Sequence, residues 1–452
     1  MAEEAVSRRG QSPSWTGAVD PVELLRALLR FDTSNPRGNE RQCLEFVADI
    51  LRESGVEPRF LARDDDRPNL VARLPGRGDS PPLLLYGHVD VVPANPSEWS
   101  HPPFAGELVG GEVWGRGALD MKGGVAMLVA VVARAAREGL KPAGDLILAL
   151  AADEETGSEL GAKYLVEEQA ELFDGVRYAL SEIGGFTEWV GSRRLYPIQV
   201  AEKQRCLIRA TIRGAGGHPS TIVRGTAAHK LGRLLTTLEK RRLPVHVTPV
   251  VREMLQAMAG ALPIHERLGL RGVTVPALTD RLLDLFGKQA QSLDPLLHNT
   301  VTPTVVHGGR STSTNVIPTE ITVELDGRVL PGQTPHDLVR ELDALFAGVA
   351  EFELVEAEPP GRAQADLTLY PVLAEIIREH DSGGAPMPTL VPGYTDARYF
   401  ASLGIQTYGF LPMRLPQHIT TALIHAPDER VPAEAIEFGA ECVYAAIRRY
   451  RI

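Results

Sequence analysis

The stretch from Pro82 to Gly124, PLLLYGHVDVVPANPSEWSHPPFAGELVGGEVWGRGALDMKGG, constrains the fold more than any other part of the chain. The short apolar run from Pro82 to Tyr86 reads as a buried strand. It delivers His88 and Asp90 at its C-terminal end, which is where open α/β sheets hold their ligands. Asp120 opens a second polar cluster, followed at once by Gly123, Gly124 and a long apolar segment that predicts a buried helix over 122–138. A histidine and two carboxylates gathered at strand ends suit a transition metal such as zinc or cobalt better than calcium.

The rest of the chain repeats this grammar. Asp20 and Pro21 stand as N-cap and first residue of a helix whose apolar face is Leu24, Leu25, Leu28 and Leu29. A second amphipathic helix is predicted over 40–54, with strands at Asn69–Leu74, 145–152 and 177–181. The strand 145–152 ends in Asp153, Glu154 and Glu155, and the strand 177–181 ends in Ser181 and Glu182. Strands alternating with helices, with acids at several strand ends, indicate an α/β layer domain. Near residue 202 the period changes. Cys206, Ile208, Ala210 and Ile212 alternate with polar neighbours, as do Glu324, Asp326 and Arg328 with apolar ones, so both runs read as half-solvated antiparallel strands. Amphipathic helices follow each, the second capped by Thr334 and Pro335, and a short strand is predicted at 352–356. The segment 244–304, rich in Leu and Pro with weak periodicity, reads as an irregular, partly helical insertion. From about residue 366 the α/β signature returns, so the first domain is interrupted by the second. At 452 residues, two domains is also what length alone suggests.

A net charge of −11 gives no reason to expect a nucleic acid or an anionic membrane as partner. Cys43, Cys206 and Cys442 lie far apart, which argues against a disulfide framework and a thiolate metal site. Residues 1–19 are polar and expected to be disordered, and without an apolar signal segment or membrane span the expected home is the cytoplasm.

Taken alone, His88 and Asp90 could be a polar turn, Asp120 a helix cap, Glu154–Glu155 a solvated acidic turn and His425 a loop histidine. Together they are far more specific. Asp120 can span two ions with its two oxygens. One of Glu154 and Glu155 can ligate while the other handles a proton, and His425, in TALIHAPDER, supplies a further ligand from the returning half of the first domain. Two ions about 4 Å apart acidify a water and polarise a carbonyl, the arrangement for hydrolysing an amide.

The runs GHVDVVP, GRGALDMKGG, DEETGS and SEIGG resemble the dinuclear zinc aminohydrolases of metallopeptidase family 20, from about residue 20 to the C-terminus. Within it, SEIGG and the insertion resemble the carboxypeptidase S and N-acyl-amino-acid hydrolase branch. The resemblance implies a zinc-peptidase-like three-layer catalytic domain (20–201 and 365–452) interrupted by a smaller α+β lid or dimerisation domain (202–364). It implies two Zn²⁺, replaceable by Co²⁺ or Mn²⁺: His88 and Glu182 on one, Glu155 and His425 on the other, Asp120 bridging. Asp90 would orient His88, Glu154 would be the general base, and the Asp120–Met121 peptide would be cis. His218, in GGHPS, resembles the histidine that stabilises the oxyanion, often across a dimer interface. Asn315, Arg328 and, in PGYTDAR, Arg398 match positions that contact the substrate's oxygens and carboxylate. Where many relatives carry Gly-Gly-Thr-Asp this chain has Gly393-Tyr394-Thr395-Asp396, so the surface beside the substrate is expected to differ. The implied activity is cleavage of the amide bond of an N-acyl amino acid or a short peptide with a free carboxylate. A dipeptidase or carboxypeptidase is the alternative to a deacylase. A non-catalytic binding protein of the same fold would be expected only if a ligand or the base were missing, and none is.

Overall fold

The computed structural model describes residues 17–262, 264–287, 291–308 and 314–452; residues 1–16 of the N-terminal segment expected to be disordered lie outside them. The larger sheet has the order Pro58–Leu61, Asn69–Leu74, Leu146–Ala151, Leu83–His88, Tyr178–Ser181, Gln406–Gly409, Arg193–Glu202, Gly384–Val391, with Glu188–Val190 paired to Arg193–Glu202. Its four central strands, 146–151, 83–88, 178–181 and 406–409, run parallel. A parallel strand is covered on both faces, and its side chains alternate between them. Leu83 and Leu85 join one apolar cluster with the helices Pro21–Leu28, Glu40–Glu53, Lys122–Arg137 and Ala433–Arg449. Leu84 and Tyr86 join another with Tyr164 and Leu165 of Ala162–Glu168 and Tyr399 and Phe400 of Ala397–Ser402. The result is three layers. Each fully buried leucine here contributes on the order of 2 kcal/mol of apolar transfer free energy.

The glycines after Asp120 have a steric reason. A Cβ on Gly123 would meet the Ala118 carbonyl oxygen at 2.3 Å, and one on Gly124 would meet Leu411 at 2.4 Å. The helix Lys122–Arg137 therefore begins pressed against its own approach loop, and this holds Asp120 over the sheet. The caps expected from the sequence form as well: Asp20 Oδ1 accepts the Val22 N–H at 2.8 Å, and Thr334 and Asp337 cap each other's backbone N–H groups.

The smaller sheet is antiparallel, in the order Thr300–Gly308, Glu320–Val329, Gln204–Arg213, Glu351–Ala357. Its alternation is the expected one, with Cys206, Ile208, Ala210 and Ile212 facing Leu234, Leu338 and Leu342 of the helices Ala227–Lys240 and Pro335–Leu345. The segment 244–304 departs from expectation. Its described residues hold the helices Pro249–Ala261, Ile264–Gly272, Pro276–Phe286 and the short Asp294–Leu297, and its end enters the small sheet as the strand Thr300–Gly308. Pro249 and Pro276 begin helices, where a missing N–H costs nothing. Val251, Met254, Leu255 and Leu297 join the apolar cluster of the larger sheet and not that of the smaller one. No helix among the described residues is long and apolar enough to cross a membrane.

Candidate active site

The parallel strands end side by side, and the acids converge there. His88 closes its strand, Glu154 and Glu155 sit in a 3₁₀ turn after Leu146–Ala151, and Glu182 follows Tyr178–Ser181. His425 arrives from a loop whose continuation, Arg430–Pro432, pairs with Glu112–Trp114 in a small three-stranded sheet. Asp153, Ile183 and His425 have φ of 66°, 54° and 63°. For a β-branched residue such as Ile183 this is a costly conformation, held by the surrounding structure.

The central carboxylate is Asp120. Its Oδ1 lies 3.1 Å from His88 Nε2 and its Oδ2 lies 3.4 Å from His425 Nε2. Glu182 Oε2 stands 3.4 Å from His88 Nε2, and Glu155 Oε1 stands 3.1 Å from His425 Nε2. Each imidazole thus faces one oxygen of Asp120 and one glutamate of its own. Donor atoms of His88, Asp120 and Glu155, and likewise of His88, Glu154 and Glu182, lie within 4.8 Å of one another. The Asp120–Met121 peptide is cis.

The electrostatics are those of a trap for positive charge. Burial works to raise Asp120, yet hydrogen bonds from His425 and His88 hold it well below its ordinary range. Burial pushes Glu182 up to about 7, with His88 opposing and Asp120 adding to the rise. Glu154 rises well above its ordinary value through burial and then the Glu182 charge. Hydrogen bonds to Asp120 and Glu155 drive His425 up to about 10, and the charge of Glu182 leads the rise of His88 against the cost of its burial. Imidazole and carboxylate donors in this density fit a pair of divalent cations.

The supporting shell is built around Asp90. Its carboxylate accepts the backbone N–H groups of Glu154 and Glu155, each at 3.1 Å, and the Asn35 amide at 2.8 Å. The acceptor closest to His88 Nδ1 is the Asp90 carbonyl oxygen at 3.0 Å, with Oδ1 at 3.4 Å. Asp90 therefore touches His88 mainly through its backbone and fixes the glutamate turn with its side chain. Asn35 also accepts from Arg67, which pairs with the buried Glu40 and with Asp153. Behind Asp120, Glu429 is fully buried, pairs with Arg116 at 2.6 Å and accepts the N–H groups of Gly117, Leu119 and Asp120. Asn35, Arg67, Glu40 and Glu429 were not singled out from the sequence; the signal for Glu429 was a charge next to HAPD in a loop already marked by His425.

The remaining expected residues lie elsewhere. His218 is exposed on the smaller domain, its Nδ1 2.7 Å from Ser220 Oγ, and its hydrogen bonds do not reach the cluster. Asn315 is exposed in the adjoining loop, where Ile317 bridges to Gly217. Arg328 and Arg398 come together at Tyr394, their guanidinium carbons 4.7 and 4.3 Å from its ring centre. Arg328 also binds Asp326 at 2.6 Å, and Arg398 the Thr395 carbonyl at 2.7 Å. Arg328 Nη1 is buried without a hydrogen-bond partner, and Arg398 Nε faces Glu358 Oε2 at 3.5 Å. Tyr394 is the residue at which the chain departs from the Gly-Gly-Thr-Asp pattern, so the expected difference is a ring that two cations share.

Comparison with known proteins agrees with this architecture. A Xenopus tropicalis protein named N-fatty-acyl-amino acid synthase/hydrolase PM20D1 is 28% identical over 370 residues, 79% of this chain and 70% of that protein. The succinyl-diaminopimelate desuccinylase of Paracoccus denitrificans (strain Pd 1222) is 27% identical over 446 residues, 96% of this chain and 99% of that protein. The crystal structure of an M20 family metallo-carboxypeptidase from Sulfolobus solfataricus superposes with a TM-score of 0.67 at 17% identity, covering 95% of this chain and 98% of that one, which carries the fold. The family model described as peptidase family M20/M25/M40 matches residues 84–449, most of the chain. This chain belongs to peptidase family M20/M25/M40.

Proposed function

We propose that the chain is a two-metal hydrolase that cleaves the amide bond of an N-acyl amino acid or short peptide bearing a free carboxylate. The observation that carries this reading is the division of Asp120, one oxygen toward His88 and the other toward His425, each imidazole with its own glutamate. His88 and Glu182 would hold one ion, Glu155 and His425 the other, and Asp120 both. Zinc suits the donor set, with cobalt or manganese as substitutes. Two such ions, when bound, lower the pKa of a water and polarise the scissile carbonyl.

The chain's own groups do the rest. Glu154, beside the cluster, would as a carboxylate take a proton from the attacking water and hand it to the leaving nitrogen. The water oxygen joins the carbonyl carbon, the C–N bond breaks, and a carboxylic acid and an amine leave. Asp90 keeps the Glu154–Glu155 turn in place through two backbone hydrogen bonds. Arg328 and Arg398, gathered on the Tyr394 ring, suit a substrate carboxylate. His218 and Asn315 would meet the carbonyl oxygen from the lid, His218 from the lid of a second copy in a homodimer.

The test is hydrolysis of N-acyl amino acids and dipeptides with chelator, then with zinc, cobalt or manganese restored. Glu154→Gln should keep two bound metals and lose about 10²–10⁴ in turnover. Full turnover by that variant, or by metal-free protein, would overturn the reading.

A further inference from the structure

The turn that carries Glu154 does not hold its shape alone. Asp153, Gly157 and Ser158 all have left-handed backbone, with φ of 66°, 111° and 64°. Of these only the glycine adopts it freely, so bonds from outside must keep the turn as it is. Asp90 grips the near end through the N–H groups of Glu154 and Glu155. That grip does not reach Gly157 and Ser158.

A separate segment, more than two hundred residues further along the chain, holds the far end. The Tyr399 hydroxyl donates to the Gly157 carbonyl oxygen at 2.9 Å, and the Ser158 hydroxyl donates to Asp396 Oδ1. Tyr399 lies in the helix Ala397–Ser402 and is buried in the same apolar cluster as Tyr164 and Leu165. Its proton has one direction to point. Arg398 Nη2 donates to the Tyr399 oxygen at 3.3 Å, so the hydroxyl hydrogen is left for Gly157. Donation from a cation also polarises the hydroxyl and strengthens its own donation. The Arg398 guanidinium stacks 4.4 Å from the Tyr399 ring centre and is tied through Nη1 to the Thr395 carbonyl at 2.7 Å. Ring and hydroxyl are therefore both fixed from the same side.

We propose that Tyr399 is a positioning residue for the general base: its hydroxyl holds the far end of the Glu154 turn as Asp90 holds the near end. The inference rests on the hydrolytic reading above and adds to it a residue that touches neither substrate nor metal. Glu154 must stay within hydrogen-bond reach of the attacking water and the leaving nitrogen, and a shift of about 1 Å can lower a rate about 10²-fold. Substrate binding draws on other groups. When the hydroxyl is removed, Arg398 keeps its bond to Thr395 and its stacking on the rings of Tyr394 and Tyr399. The loss should therefore fall on kcat and spare KM.

The experiment compares the native chain with Tyr399→Phe, both metal-loaded, by steady-state hydrolysis of an N-acyl amino acid and by amide hydrogen exchange. The ring stays and only the hydroxyl goes. The expected result is kcat lower by about tenfold or more with KM within about twofold, and faster exchange confined to residues 153–161. A kcat within about twofold of native would overturn the proposal and leave the hydrolase standing. A loss carried by KM would overturn it too, placing the hydroxyl with substrate binding through Arg398. Should Tyr399→Phe not fold, Ser158→Ala removes the other bond to the same end of the turn and is read by the same two quantities. If the native chain cleaves no amide, the hydrolytic reading fails, and exchange alone decides: faster exchange confined to 153–161 supports the grip on the turn, while unchanged or chain-wide exchange overturns it.

Discussion

Glu429 Oε1 accepts the backbone N–H of Asp120 at 3.1 Å, so a carboxylate that faces away from the cluster sets where the central carboxylate stands. The same side chain takes the N–H of Leu119 at 2.7 Å and, through Oε2, that of Gly117 at 3.1 Å. Arg116 neutralises it from 2.6 Å in a site where both side chains are almost fully buried.

Glu429→Gln should therefore act on metal affinity. Its amide matches the carboxylate in shape but offers only one oxygen to these N–H groups, and it leaves Arg116 buried without its charge partner, a loss of about 3–5 kcal/mol. Competition with a chelator should show metal affinity reduced about 10–100-fold, the usual range for a residue that orients a ligand. Unchanged affinity in a folded variant would mean that the approach loop holds Asp120 without it.

Metal loading should stabilise the fold. Four carboxylates, Asp120, Glu154, Glu155 and Glu182, converge on two imidazoles, and a ligand that binds only the folded state adds RT ln(1 + [L]/Kd). At a hundredfold excess over Kd this is about 2.7 kcal/mol per site. Calorimetric melting should rise on adding zinc and fall on chelation, and His425→Ala should bind one equivalent where the native protein binds two. A melting temperature indifferent to metal would contradict the proposed centre.

Tyr394 should matter through its ring and not its hydroxyl. Two guanidinium groups stack on it, each contact worth about 0.5–2 kcal/mol. Tyr394→Phe should leave KM within about twofold, while Tyr394→Ala frees both arginines and should raise KM roughly tenfold for substrates with a free carboxylate. Amidated substrates should be much less affected. Equal effects on both substrates would separate Tyr394 from carboxylate binding.

Asp381 should contribute to acid stability. Burial alone would raise its carboxyl, but hydrogen bonds from Arg194, Tyr196 and the Gly383 N–H hold it below its ordinary value. A carboxyl depressed in the folded state stabilises fully above its unfolded pKa, and that contribution drains away as pH falls through the folded value. Asp381→Asn should cost about 2 kcal/mol at pH 7. Its gap to the native protein should narrow below about pH 4 in denaturant titrations, whereas a constant gap would mean the carboxylate is not the stabilising partner.

The parts of this protein legible in sequence are those with a short-range signature. The apolar run at 83–86 and the alternation at 205–213 and 320–329 state their own burial. The acids stand at strand ends that the pattern itself marks. The strand Gly384–Val391 carries no such signature, because Pro386 and Pro388 interrupt its apolar run. It is the outermost strand of its sheet, and two prolines at alternate positions surrender N–H groups on one edge only. Glu429, Arg67 and Asn35 were illegible for a different reason. Their partners are 27 to 313 residues away in the chain, and no local pattern records a contact at that separation.

The interruption of the larger sheet has a bearing on when activity begins. His425 meets Glu155 across 270 residues of chain, and the parallel strand Gln406–Gly409 enters the sheet after the whole second domain has been made. A nascent chain still on the ribosome carries His88, Asp120 and Glu182 with no counterpart to complete them. Distant pairings of this kind are also the slow ones to form. Synthesis order thus brings His425 to the cluster last, after the second domain has been made.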